Sequence, residues 1–304
     1  GFFVLMMRRP PGSALFAAHA PVRLLEEGVG ATSLPRDDYV PSPSRISIGG
    51  RRLSTPQGNK YMNVLILGAN GQLGPHVIKA LENDGHTLRL TDINDLPDTP
   101  HEYFKLDAGD LDGVIAAAEG MDTIINLSVL RPHRQIAFDV NARGTYNAMA
   151  AAVHHGIKRV INTGPHFTIA GPTYENNDHL IGPDVPTQSG TLLYAITKSL
   201  GQEVCRIFTE NHDIHVLTLL FYNFWFPDDH SADGHDVTPF SVTWQDSAEA
   251  FRPALSIDLE ELPSKCETFF IFADMPHQKF TNEKAKRILG WQPTNTLAHR
   301  WTKM

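Results

Sequence analysis

Cysteine is scarce: Cys205 and Cys266 are the only two in 304 residues. A disulfide framework is thereby excluded, and a reducing, cytoplasmic location is the expectation. No apolar run approaches the ~18 residues that a membrane-spanning helix needs. Positive charge is also in deficit, with 26 Lys and Arg against 34 Asp and Glu and a formal net charge of −8. Phosphate backbones favour basic surfaces, so nucleic acid is excluded as the main partner. What remains is an ordinary globular mix, 41% hydrophobic and 20% charged. At roughly 100–200 residues per domain the length suits one large domain or two small ones. A core of that size needs no metal or disulfide staple.

The deficit is uneven. Residues 1–61 hold eight Lys or Arg against four acids, with seven Pro, seven Gly and no sustained apolar period. That segment is +4, which leaves −12 for the rest of the chain. Three readings compete: a targeting peptide, a disordered extension, or sequence upstream of a start at Met62. Arg8-Arg9 follows the apolar Phe2–Met7 run, the reverse of a secretory signal, although Ala18-His19-Ala20 has the form of a cleavage site. A disordered or non-native extension is the expectation, with the ordered chain beginning at Met62.

Met62–Leu67 is a continuous apolar run of the kind buried in parallel sheets. It leads into Gly68-Ala69-Asn70-Gly71-Gln72-Leu73-Gly74. A helical period follows, with Leu73, Val77, Ile78 and Leu81 on one face. A second strand, Thr87–Thr91, closes on Asp92. Strand, glycine turn, helix, strand and acid form the dinucleotide-binding context. The first glycine permits a tight turn, the second lets backbone amides approach pyrophosphate, and the third packs helix on strand. Gly68, Asn70, Gly71, Gln72, Leu73 and Gly74 are the expected phosphate cradle, at a helix N-terminus that favours anions. Asp92 would accept hydrogen bonds from the adenosine ribose. Its carboxylate repels a 2′-phosphate, so NAD is expected rather than NADP.

Tyr194-Ala195-Ile196-Thr197-Lys198 opens an amphipathic helix. Positions i and i+4 share a face, so phenol and ammonium project together. Free tyrosine titrates near ~10 and is a poor base at neutral pH. A nearby ammonium stabilises the phenolate, which lets Tyr194 exchange a proton with a substrate hydroxyl. Lys198 can also hold the nicotinamide ribose.

The G-x-x-G-x-x-G spacing resembles the extended short-chain dehydrogenase/reductase superfamily, with its NAD-dependent epimerases and dehydratases. Further landmarks resemble that family's in order: Phe104–Asp107 its third strand, Thr123–Ser128 its fourth, Asn141–Asn147 a helix, Lys158–Thr163 its fifth strand, and Lys284–Pro293 its closing pattern. The resemblance covers residues 62–293. It implies an α/β fold, a doubly wound parallel (Rossmann) sheet over 62–220. A small substrate-binding part, 221–304, would follow, with strand 267–272 returning to the sheet. It assigns Asp107 and Leu127 to the cofactor, and Ser128, His166 and Asn223 to the substrate. The family's fifth strand ends in a Ser/Thr pair. Here that stretch reads Thr163-Gly164-Pro165-His166-Phe167-Thr168, so Thr163 is the expected catalytic hydroxyl, with Thr168 or His166 as alternatives. The family also dimerises through helices, for which the Ala-rich Asn147–Ala152 face and the Tyr194 helix are candidates, as they equally are for core.

Asp228, Asp229, His230, Asp233, His235 and Asp236 form an acidic loop without fixed ligand spacing. It reads as solvated surface, and no metal is expected. Little room lies between Phe221 and Ser241 for a nucleotide-gripping domain. The expectation is an NAD-dependent oxidoreductase acting on a small hydroxyl or carbonyl compound. Thr163–Gly171 with Thr243-Trp244 loosely resembles uronate dehydrogenases, so the expected substrate is a sugar or sugar acid. The alternatives are an epimerase or dehydratase acting on a (nucleotide-)sugar, and a dinucleotide sensor without turnover.

Overall fold

The computed structural model describes residues 61–301, apart from Pro97, Pro132, 170–177 and 228–236. Strand β1, Asn63–Leu67, is its axis. Val64 and Ile66 join the cluster under one layer of helices, and Leu65 and Leu67 join the cluster under the other. That split follows from the two-residue alternation of a strand, and it explains why a strand covered on both faces is apolar throughout.

Around β1 all but two of the described strands, which pair with each other, form one parallel sheet. They are β2 (Thr87–Asp92), β3 (Glu102–Lys105), β4 (Thr123–Asn126), β5 (Arg159–Pro165), β6 (His215–Phe221) and, after the short β7 (Phe224–Trp225) and β8 (Val242–Thr243), β9 (Cys266–Phe270). Their spatial order is β3-β2-β1-β4-β5-β6-β9. The winding direction reverses between β1 and β4, where Leu67 pairs with Thr91 on one side and Asn126 on the other. Ligands of such sheets bind in the crevice beyond the carboxyl ends of the strands at that reversal.

One side of the sheet carries α1 (Gly74–Leu81), α6 (Trp244–Glu249) and α7 (Phe251–Ser256). The other carries α2 (Leu111–Ala117), α4 (Gly144–His155) and α5 (Leu193–Asn211). A single turn, α3 (Arg134–Ala137), leads through a π-helical turn at Phe138–Arg143 into α4. The C-terminal segments share the main core, because Phe251, Ala254 and Leu255 pack in one cluster with Val64 and Leu81. Arg159 fastens them further. Its guanidinium donates to the carbonyls of Ala254, Leu255 and Ile257 at the end of α7.

One expectation needs correction, and one open choice is decided. The third strand lies at Glu102–Lys105, not Phe104–Asp107. As the sheet's edge it leaves Glu102, Phe104 and Lys105 exposed, so no buried apolar run marks it. The Ala-rich face of α4 is interior: Ala148, Ala150, Ala151 and Ala152 are all 3% exposed or less. It is filled by this chain's own core and offers no docking surface. The acidic loop weighed as a metal site, and all but the last residue of the basic leader, lie outside the described residues.

Candidate active site

The turn after β1 is built by glycine. Gly68 has φ +80°, and its N–H and that of Ala69 both donate to Thr91 O at 2.9 Å. A Cβ on Gly68 would stand 2.8 Å from Ser128 N, and one on Gly74 would stand 2.0 Å from Ala69 O. These contacts seat α1 directly on the strand end. Leu73 at the N-cap supplies no side-chain hydrogen bond. Among the described residues no group accepts the N–H of Gln72 or Leu73. The start of α1 therefore presents open amides with the positive end of a helix dipole behind them, which fits a dinucleotide pyrophosphate.

Asp92, 8% exposed at the end of β2, faces this turn. Its Oδ2 accepts from Asn70 N–H at 3.0 Å and its Oδ1 from Asn94 N–H at 2.9 Å. Oδ1 also accepts from Asn94 Nδ2 at 3.4 Å, and Oδ2 keeps a lone pair for a ribose hydroxyl. Leu127 continues β4 with its N–H on Leu67 O at 2.9 Å. Asp107 lies just past β3, exposed, with Oδ1 accepting from Gly109 N–H at 2.8 Å.

The second half of the site is carried by α5. Lys198 is 2% exposed. Its Nζ donates to Ser128 O at 2.8 Å and to Thr163 O at 3.2 Å, bridging the ends of β4 and β5. Tyr194, one turn earlier, is half-buried, with its ring set edge-on to Phe167 at 5.8 Å. The two residues thus share a face, beside the glycine turn. Burial pushes the Lys198 ammonium down to about 8 and pushes the Tyr194 phenol up. The cation that opposes the latter shift, by its charge, is Arg131. Its guanidinium lies 5.1 Å from the ring centroid. Sequence reasoning gave this role to Lys198 and passed over Arg131, because nothing local links a loop residue after β4 to a helix beyond β5.

The expected catalytic hydroxyl is not available. Thr163 donates its Oγ1 proton to Asn126 O at 2.7 Å, back into the sheet. Thr168, fully buried, donates to Pro165 O at 3.1 Å and accepts from Gln202 Nε2 at 2.9 Å. Gln202 also fills the space beside Gly164, where a Cβ would meet its Nε2 at 2.9 Å. His166 is 2% exposed. Its ring is enclosed by Phe240, Tyr222 and Phe167 at 4.0, 4.7 and 5.1 Å, an interior packing position rather than a projecting group. Asn223 has φ +52°, and its Oδ1 accepts from Trp225 Nε1 at 2.9 Å and Ser241 Oγ at 2.5 Å. That oxygen clips β7 to β8, which leaves only the amide nitrogen for a substrate. Ser128 is 7% exposed beside Lys198.

A glycine turn and a Tyr/Lys pair meeting at the reversal of a parallel sheet define a Rossmann-type dinucleotide-binding architecture. Residues 64–241 match the NAD dependent epimerase/dehydratase family, and the chain belongs to that family. It is 29% identical over 165 residues to uronate dehydrogenase of Pseudomonas syringae pv. tomato, covering 52% of this chain and 58% of that one. It is 22% identical over 260 residues to an NAD-dependent glucose-6-phosphate dehydrogenase of Haloferax volcanii, covering 77% and 94%. The chain spans about 60% of the length of the uronate dehydrogenases it matches. The fold is similar to a mutant uronate dehydrogenase of Agrobacterium tumefaciens complexed with NAD. That similarity has a TM-score of 0.64 at 20% identity, over 77% of this chain and 85% of that one.

The buried ammonium carries a stability prediction. Lys198 titrates near 8 in the folded chain and near ~10.4 when unfolded. Between those values the unfolded state holds a proton that the folded state has released, so stability rises with pH. Relative to Lys198→Met, the wild type is expected to gain up to about 1.4 kcal/mol per pH unit from pH ~8 to ~10. Urea unfolding of both proteins across that range checks it, and parallel curves would refute it.

Proposed function

We propose that this chain is an NAD-dependent oxidoreductase that moves hydride between the cofactor and a small hydroxyl or carbonyl compound, with a sugar acid as the preferred substrate. The observation that carries the reading is Lys198 Nζ bridging Ser128 O and Thr163 O. It fixes Tyr194 at the strand ends facing the crevice where Gly68–Gly74 and Asp92 would hold NAD. When bound, NAD supplies a two-electron acceptor for the substrate's C–H electron pair. Tyr194 takes the proton of the substrate O–H. Lys198 holds the ribose while its two N–H bonds to carbonyls fix the helix. Asp92 disfavours a 2′-phosphate, which supports NAD over NADP. The sugar-acid preference is supported by the similarity to uronate dehydrogenases.

An epimerase or dehydratase would use the same residues and return the hydride, so reduced cofactor would not accumulate. Sensing without turnover is favoured by one observation, the lack of a free hydroxyl at Thr163-Gly164. Incubation with NAD and a panel of aldoses and uronic acids, followed by NADH absorbance and product analysis, separates the three. Sustained NADH formation with one panel member is expected. Product without NADH would sink the dehydrogenase reading, and tight NAD binding without any product would favour sensing. In the same reading a second copy docks through the apolar residues left exposed beside α5, namely Ile136, Phe138, Leu200 and Ile207.

A further inference from the structure

The candidate site has a base but no free hydroxyl at the end of β5 to assist it. Thr163 and Thr168 spend their protons on carbonyls, and Gly164 has none to offer. Lys198 spends two of its three donors on Ser128 O and Thr163 O, and the third is the one that would hold the ribose. We propose that Arg131 is a catalytic residue that takes the place of that hydroxyl, holding the phenolic oxygen of Tyr194 and the reacting oxygen of the substrate beside it. This rests on the oxidoreductase reading above.

The position of Arg131 is built. Its neighbour Leu130 is gripped at both backbone groups by one side chain: Leu130 N–H donates to Asn141 Oδ1 at 3.1 Å, and Asn141 Nδ2 donates to Leu130 O at 2.7 Å. The same Nδ2 donates to Thr197 Oγ1 at 3.0 Å, on the helix that carries Tyr194. Asn141 is fully buried and sits in the π-helical turn Phe138–Arg143, a distortion often found at functional sites. The loop after β4 and the start of α5 are thus tied together, and Arg131 and Tyr194 keep their mutual distance.

Arg131 also keeps its charge. Among the described residues it makes no ion pair with a carboxylate, whereas Arg89, Arg143, Arg206 and Arg252 each do. A guanidinium has five N–H donors. The guanidinium lies over the Tyr194 ring, 5.1 Å from its centroid, and the exposed side chain has donors to offer the phenolic oxygen and a substrate oxygen next to it. Among the described residues, the titratable or charged groups around Tyr194 are Arg131 from the β4 loop, Lys198 on its own helix, and His166 and Tyr222 beyond Phe167. Of these, Arg131 is the cation set against the Tyr194 ring. During oxidation the substrate O–H proton passes to the Tyr194 phenolate and the C–H electron pair leaves as hydride to NAD. Arg131 neither gains nor loses a proton. It stabilises the phenolate before the step and the developing carbonyl oxygen during it, by charge-assisted hydrogen bonds.

The test uses the full chain with Arg131→Met, Arg131→Lys and Arg131→Ala. Near-ultraviolet titration, differenced against Tyr194→Phe, reads the Tyr194 phenolate without any substrate. Its midpoint is expected to rise by about one unit or more in Arg131→Met and less in Arg131→Lys. Turnover with NAD and the active sugar acid is expected to fall about a hundredfold in Arg131→Met. The rise of rate with pH should move upward with it, NAD affinity should hold within about twofold, and millimolar guanidinium should restore part of the rate to Arg131→Ala. An unmoved Tyr194 titration overturns the proposal, as does a variant that changes KM alone. If the wild type turns over nothing, the oxidoreductase reading fails by itself, and the phenolate titration still decides whether Arg131 governs Tyr194.

Discussion

Tyr194→Phe is expected to lower turnover about a thousandfold while leaving NAD affinity within about twofold of wild type. The substitution removes one oxygen and nothing else that packs. The ring keeps its edge contact with Phe167 at 5.8 Å and the guanidinium of Arg131 above it. Lys198 keeps its two carbonyls, so α5 is held as before. What is lost is the acceptor for the substrate proton, and general-base catalysis is worth ~10²–10⁴ in rate. Calorimetric titration with NAD alongside steady-state kinetics gives both numbers. An unchanged rate would remove Tyr194 from the reaction. A parallel loss of NAD affinity would make it a binding residue instead.

The contrast between Tyr194 and Arg131 shows which parts of this site are written locally. Tyr194 and Lys198 stand four residues apart on one helix, so their shared face follows from helical geometry alone. The glycine turn is equally local, because its strand, turn and helix are consecutive. The parallel sheet was legible for a related reason: strands buried on both faces are largely apolar, and β1 and β6 are. The edge strand β3 has one covered side fewer and was misplaced by two residues. Arg131 reaches Tyr194 only because β4 and β5 are neighbours and α5 crosses their ends, a relation that no spacing encodes.

Side-chain direction was the other thing the sequence withheld. Thr163 is the right residue type at the right strand end, yet its hydroxyl turns to Asn126 O and only its carbonyl serves the site. His166 stands in the next segment but turns into a nest of aromatic rings. Asn223 was sought for its amide and is found with a left-handed backbone and its oxygen tying β7 to β8. In each case the residue type set which bonds the side chain can make, and tertiary packing determined where they are made.

Packing at one glycine gives the largest expected change in stability. In Gly74→Ala the new Cβ would lie 2.0 Å from Ala69 O, a backbone atom that cannot rotate away. α1 must lift from the end of β1 or the turn must open. Val77 and Leu81, both fully buried against the sheet, lose packing either way. A cost of about 3 kcal/mol is expected, at the upper end for overpacking. For a chain of this size that is a fall of roughly 6–12 °C in Tm. Gly120→Ala separates contact from conformation. Gly120 has φ +75° and nothing within 4 Å of its would-be Cβ, so it bears only the left-handed backbone penalty, about 1 kcal/mol. NAD binding should separate the two variants further. Lifting α1 moves the open amides of Gln72 and Leu73 away from the pyrophosphate, whereas Gly120 follows α2 on the far side of the sheet from α1. Gly74→Ala is therefore expected to lose NAD affinity at least tenfold and Gly120→Ala to keep it. Equal Tm values for the two would show that the contact with Ala69 relaxes freely, and that the third glycine of the turn is dispensable to the cradle.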